Sequence, residues 1–266
     1  MGVLNMDVKN KVVVISGASS GIGKELAKQL FNKGAKLALL ARREDKLKQL
    51  VATEFNNSTD VIWVKTDVSN REEVKAAVQK VIQRFGQIDI VINNAGVGYF
   101  GSFENISIED FDRILKTNIY GVLHLSQESI PYLKNTKGII MNVSSGLSKR
   151  ALPYLTVYAA SKSMLDSLSD GMRLELKPYG INVVNYCPPE TETEIFENTV
   201  HEPGMISNTS HRKKKRVEDV VNRMVKALEE EAREVVEGKS LKVMNFFAPK
   251  LLDKIFYKAM VLKGKK

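Results

Sequence analysis

The chain carries a single cysteine, Cys187, so no intrachain disulfide can brace it, which fits a reducing compartment. Histidine is scarce too: His124, His201 and His211 have no metal-ligand spacing, so no metal site is expected. No Ser/His/Asp order supports a hydrolase. No apolar run approaches the length of a membrane span, and the opening MGVLNMDVKNK lacks the apolar core and cleavage site of a secretory leader. A cytoplasmic location is therefore expected. Nothing resembling a Pro-, Gly- or Ser-rich linker or an internal repeat divides the 266 residues, which are enough for one domain with a substantial core.

Charge is abundant and uneven. Of the formal +9, most lies beyond residue 238, where eight lysines stand against one acid, Asp253. A basic tail suits an anionic surface, but no zinc, helix-turn-helix or RNA-binding signature accompanies it, so nucleic acid is not expected as a partner.

Six short, β-branched-rich runs recur: KVVVIS (11–16), KLALLA (36–41), VIWVK (61–65), IDIVIN (88–93), GIIMNVS (138–144) and INVVNYC (181–187). Their length and continuous hydrophobicity predict buried parallel strands. Amphipathic segments lie between them, such as GKELAKQLFNKG and REEVKAAVQKVIQRFG, closing on Gly34 and Gly86. The alternation predicts a doubly wound, Rossmann-type α/β sheet flanked by helices. One domain is expected over 1–240, with a basic amphipathic tail over 241–266. In such a sheet ligands bind at the carboxyl ends of the strands.

The first strand runs into SGASSGIG. Gly17, Gly21 and Gly23 allow a tight turn and close approach to a pyrophosphate, and the helix that follows offers free N–H groups and its positive dipole end. Ser19, Ser20 and Ile22 complete the loop. After the second strand, where an NAD-binding chain commonly has a carboxylate, stand Ala41, Arg42 and Arg43. Two arginines favour NADP(H) over NAD(H), with Arg42 the nearer contact. Asp67 and Val68, after the third strand, are expected to flank the adenine.

NNAG (93–96), with Asn94, Ala95 and Gly96, follows the fourth strand; KTNIYG places Asn118 in a helix; NVSSG carries Ser144 and Ser145; YAASK carries Tyr158 and Lys162. Singly, each has a plain reading as turn, cap or exposed pair. Together they suit the reduction of a ketone. A phenol with an ordinary pKa is a reluctant acid, and an ammonium beside it favours the phenolate. Tyr158 would then donate the proton in reduction and a serine hydroxyl would stabilise the developing alkoxide. Lys162 would also hold the nicotinamide ribose, and Asn118 a water relaying protons to it.

In order and spacing, these motifs resemble the short-chain dehydrogenase/reductase family over about 11–236. The resemblance implies a catalytic set of Asn118, Ser145, Tyr158 and Lys162. Ser145 is preferred to Ser144 because it precedes Tyr158 by the family's thirteen residues. Ser16 stands where the family usually has threonine, and either hydroxyl can tie the loop. Oxidoreduction of CH–OH and C=O groups follows, along with a homodimer or homotetramer formed through the helices over 109–134 and 157–178.

After the sixth strand the family usually continues Pro-Gly and then a threonine that meets the nicotinamide carboxamide. Here Pro188 is followed by Pro189; Thr193 is the first candidate for that contact and Thr191 the second. The phrase PPETET resembles the 3-ketodihydrosphingosine reductase branch, which implies a hydrophobic, lipid-like substrate. Residues 188–216 should form the substrate loop, including the basic run HRKKKR. In the tail, Lys250, Lys254 and Lys258 share a helical face beside Leu251, Ile255, Ala259 and Leu262, a pattern that suits packing on the domain itself or on a partner subunit, or lying in a membrane interface. The competing readings are a 3-oxoacyl-thioester reductase, a dinucleotide-binding sensor or scaffold, and a peripheral lipid-binding protein.

Overall fold

Alternate residues of the first strand serve two different cores, and this shapes the molecule. A computed structural model describes residues 6–193, 199–202, 214–237 and 249–258. In β1 (Val12–Ser16), Val13 and Ile15 enter one hydrophobic cluster while Val12 and Val14 enter another. Both faces are covered, so the strand is apolar throughout rather than alternating. The same holds for β2 (Lys36–Ala41) and β4 (Ile90–Asn93). One face is covered by α1 (Gly21–Asn32), α2 (Glu44–Glu54) and α7 (Val217–Glu229), the other by α3 (Arg71–Phe85) and α5 (Gly121–Thr136). The long α6 (Thr156–Leu176) contributes Leu176 to the second cluster and Leu165 to a smaller one.

The expected punctuation is in place. Asn70 caps α3 by accepting from the N–H groups of Glu72 and Glu73, and Gly86 ends it at φ 77°.

With β3 (Val61–Lys65), β6 (Ile139–Val143) and β7 (Asn182–Cys187), the six expected strands pair in parallel, and a seventh, β9 (Glu234–Val236), adds to β7. The order is β3-β2-β1-β4-β6-β7-β9. The chain winds outward from β1 to β3 and restarts at β4, which opens a crevice at the carboxyl ends of β1 and β4. Two short strands, β5 (Tyr99–Phe100) and β8 (Val200–His201), pair in parallel and strap the segment after β4 to the segment after β7.

One helical expectation changes form. Residues 108–136 are interrupted: α4 (Ile108–Leu115) passes into a π-helical segment, Lys116–Tyr120, before α5 begins. The widened turn holds Asn118 with no solvent exposure, a device common at functional sites. Gly121 lets this junction approach the loop after β3, since a Cβ there would lie 2.6 Å from Val68 Cγ2.

The tail helix α8 (Pro249–Phe256) packs on the domain itself, the plainer of its two expected roles. Leu252 is buried, and Arg150 pairs with Asp253. Between α8 and residues 150–156 lies a groove of about 580 Å³, walled by Leu152, Pro153, Phe256 and Tyr257. Ala259, Leu262 and the first half of HRKKKR, residues 211–213, lie outside the described residues.

Candidate active site

A cavity of about 170 Å³ occupies the crevice between β1 and β4. Gly17 and Gly21 adopt left-handed φ values of 66° and 52°. A Cβ on Gly17 would lie 2.8 Å from Ala95 Cα, and one on Gly23 would lie 2.3 Å from the Gly17 carbonyl oxygen. The loop therefore closes on itself and on β4 only with glycine at these places. Ser16, in the usual threonine position, ties the two strands: its hydroxyl accepts from the N–H groups of Asn94 and Ala95 at 3.0 and 3.1 Å. Asn94 Nδ2 in turn donates to the carbonyl oxygens of Ser16 and Gly17 at 3.0 and 3.2 Å.

Ser20 is the N-cap of α1, but its side chain makes no capping bond and the first turn holds no acid. Its hydroxyl instead accepts from Arg43 at 2.6 Å, and Ser19 accepts from the same nitrogen at 3.2 Å. The first N–H groups of α1 are thus uncapped by side chains and available to an anion. Arg43, rather than Arg42, is bonded to the loop; Arg42 lines the cavity but is exposed. Asp67 and Val68 form another wall, and the Asp67 carboxylate accepts from the Ser69 N–H and hydroxyl. Thr193 stands over Gly21, where a Cβ would meet Thr193 Cβ at 3.1 Å. Thr191 turns inward and donates to the Pro189 carbonyl oxygen at 2.8 Å, while Pro188 accepts from the Gly146 N–H at 2.8 Å. Tight glycines, uncapped helix donors and two arginines suit a dinucleotide.

Sequence reasoning missed Ala41, Thr66, Val97 and Thr117, which also line the cavity. They carry no distinctive chemistry, so only the fold of the strand ends could have marked them.

Asn118, Ser145, Tyr158 and Lys162 do not line this cavity themselves; Asn118 and Lys162 lie behind Gly96, which does. Of the serine pair, Ser144 is buried and donates to the Lys162 carbonyl oxygen at 3.2 Å, whereas Ser145 hydrogen-bonds the Tyr158 side chain. Lys162 follows Tyr158 by one turn of α6, is 4% exposed, and donates to the Val143 carbonyl oxygen at 2.9 Å. A Cβ on Gly96 would lie 3.5 Å from the Lys162 amine and 3.4 Å from Asn118 Oδ1, so both side chains reach the cavity wall. Asn118 Oδ1 accepts from the Val97 N–H at 2.8 Å, and its Nδ2 donates to the Val97 carbonyl oxygen and Ser161 Oγ, each at 3.0 Å. Its side chain is therefore spent on holding the wall. That leaves the main chain of the π segment to hold the water expected at Asn118.

The expected lowering of the Tyr158 pKa is absent in this arrangement. Burial pushes the phenol above its ordinary value and the Ser145 bond only partly offsets it. Burial also draws Lys162 down to about 8, with Asp166 opposing. The lysine amine is engaged with the Val143 carbonyl, which leaves desolvation the larger influence on the tyrosine.

Residues 11–204 match the short chain dehydrogenase family model, which stops short of the expected 236. An Arabidopsis thaliana protein described as 11-beta-hydroxysteroid dehydrogenase-like 4A is 42% identical over 181 residues, covering 66% of this chain and 60% of its own length. The chain thus spans about three-fifths of that relative. Among solved structures, a Brucella melitensis 3-ketoacyl-(acyl-carrier-protein) reductase complexed with NADH superposes with TM-score 0.76 at 27% identity, covering 85% of this chain and 93% of its own. An alcohol dehydrogenase from the archaeon Thermococcus sibiricus, complexed with 5-hydroxy-NADP, gives 0.74 at 28% identity, with 85% and 94% covered.

Proposed function

The chain belongs to the short-chain dehydrogenase family, and on that premise we propose that it is an NADPH-dependent reductase of a hydrophobic, lipid-like ketone. One observation carries the reading: Ser145 is hydrogen-bonded to Tyr158, with Lys162 one helical turn on, at the wall of a cavity shaped for a dinucleotide.

Gly17, Ser19, Ser20, Gly21, Ile22 and Gly23 would hold the pyrophosphate at the start of α1. Asn94, Ala95 and Gly96 would line the inner wall, and Asp67 and Val68 the adenine side. Pro188 and Thr191 would support Thr193 at the carboxamide. Arg42 would meet a 2′-phosphate, the feature that favours NADPH, and Arg43 would brace the glycine loop beside the cofactor. The reduced nicotinamide supplies the hydride when bound. Ser145 then orients the carbonyl oxygen and stabilises the charge that develops on it. Tyr158 delivers its proton to that oxygen. Lys162 places a positive charge beside the phenol, so the phenolate left behind is stabilised; in the alcohol-oxidising direction the same oxygen takes the proton back.

The substrate reading draws on the groove beside α8. Apolar walls next to the segment joining Ser145 to Tyr158 suit an aliphatic chain. Along α8 and just past it, Leu251 and Ile255 are exposed, as are Lys250, Lys254 and Lys258, a pairing that fits contact with an anionic membrane surface. No helix among the described residues is long and apolar enough to cross a membrane. Homo-oligomerisation through the helices over 109–134 and 157–178 completes the proposal.

The test is NADPH oxidation against carbonyls running from short diketones through 3-oxoacyl thioesters to long-chain 3-keto lipids. Turnover should favour long chains and fall by about 10²–10⁴ in Tyr158→Phe, the range for losing a general acid. Preference for the thioester would move the assignment to the acyl-thioester reaction. Dinucleotide binding without turnover on any carbonyl would make the protein a sensor or scaffold.

A further inference from the structure

Polar groups that the reductase reading leaves unused lie along α6 beyond the Lys162 amine. Asp166 follows Lys162 by one turn, so Tyr158, Lys162 and Asp166 share one face of the helix. The Asp166 carboxylate is anchored on several sides. Oδ2 accepts from the Lys149 amine at 2.6 Å, Oδ1 accepts from Asn185 on β7 at 2.8 Å, and the hydroxyls of Ser144 and Ser148 lie close enough to favour its charged form. Lys149 donates a second time, to Glu234 on β9 at 2.6 Å. Asp166, Cys187 and Glu234 come close enough together to suggest metal ligands. The Lys149 ammonium, bonded to both carboxylates, already supplies the cation there.

The consequence falls on Lys162. Its described amine contact is to a neutral carbonyl, that of Val143, and burial is the largest influence on it, opposing its charge. The titratable groups that act on it are Asp166 on its own helix and Cys187 at the end of β7; Lys149, in the turn after β6, and Glu234, on β9, act in turn on those two. Among those that act on it, Asp166 is the strongest in favour of the charged form. Burial works to raise the Asp166 carboxyl itself, but Lys149, Ser144, Ser148 and Asn185 together hold it below the ordinary aspartate value.

We propose that Asp166 is a positioning residue for the reduction: one helical turn beyond Lys162 and clamped by Lys149 and Asn185, its carboxylate fixes a negative charge behind the Lys162 side chain, and Lys149 with Glu234 ties that clamp to the last strand of the sheet. The inference rests on the reductase reading, in which Lys162 must carry its charge beside Tyr158.

The sign follows directly. Removing a nearby negative charge makes the ammonium easier to deprotonate, so activity that needs it fails at lower pH. Asp166→Asn should move the alkaline limb of the kcat/KM profile down by about one pH unit, starting from near 8 in the parent protein. Asp166→Glu should restore it. Glu234→Gln, at the more exposed end of the network, should move the limb the same way by a smaller step, and it serves if Asp166→Asn does not fold. An even loss at every pH, with the limb fixed in both variants, would reduce Asp166 to a structural ion pair and overturn the proposal.

A readout independent of turnover separates this failure from that of the reductase reading. The ¹⁵Nζ signal of Lys162, assigned with Lys162→Met, should titrate near pH 8 in the parent protein and lower in Asp166→Asn. Should no carbonyl be reduced, the reductase reading falls, while a displaced midpoint still upholds the Asp166–Lys162 coupling and an unmoved one removes it.

Discussion

Arg42 and Arg43 are neighbours in sequence with different duties. Arg43 bonds Ser19 and Ser20, so it braces the glycine loop whichever cofactor is present, whereas Arg42 stands exposed at the rim. Arg42→Ala should weaken NADPH binding about tenfold, the worth of one charge-assisted contact, and leave NADH nearly unchanged. Arg43→Ala should weaken both. Titration of each variant with each dinucleotide decides it; equal losses for Arg42→Ala would sink the NADPH assignment. At this scale the sequence was most informative where chemistry is local. Gly17, Gly21 and Gly23 announce a loop that only glycine can close, and the spacing of Ser145, Tyr158 and Lys162 places them on one strand end and one helix face. The cluster of Lys149, Asp166 and Glu234 was invisible because its members lie 17 and 85 residues apart and meet only when β9 joins the sheet. Nor could spacing reveal that burial, rather than the lysine, governs Tyr158.

Among the elements, the long strands and helices were legible because their patterns are strong: six apolar runs, and helices closed by Gly34 and Gly86. Elements that depend on tertiary contact were not. β9 has three residues and follows an amphipathic helix, so nothing in Glu-Val-Val distinguishes it from a turn. The π segment at Lys116–Tyr120 exists because Asn118 must reach Val97, a demand from another part of the chain. The tail helix α8 combines both situations: its periodicity was readable and its docking site was not. Leu252 is its one buried residue, at 2% exposure. Leu252→Ala should undock the helix locally rather than unfold the protein. Hydrogen exchange of the amides over 249–256 should quicken while the melting temperature moves little. A loss of global stability on the scale of a core Leu→Ala change, about 2–5 kcal/mol, would mean instead that α8 belongs to the main cooperative unit.

Over the whole molecule, large apolar side chains stand exposed on the helices proposed to meet a second copy. Tyr120 at 47%, Met164 at 45% and Leu174 at 73% lie on the π segment and α6. An exposed set of this kind on a chain with a well-filled core points to an interface. Light scattering should therefore give a mass of at least twice 29.8 kDa, and Met164→Glu with Leu174→Glu should return it toward the monomer. A monomeric parent protein would remove the oligomer from the proposal. The order in which the sheet is assembled also has a consequence for biosynthesis. Of the cavity-lining residues, all but Thr117 and Thr193 lie within 17–97, and β1 to β4 are complete by Asn93. Chains fold broadly in the order they leave the ribosome. The nucleotide half of the pocket is therefore synthesised first, and Glu234, which steadies Lys149 near the proton-transfer residues, emerges long after it. A ribosome that stalls between the two would release a chain equipped to hold a dinucleotide but lacking the last brace for its chemistry.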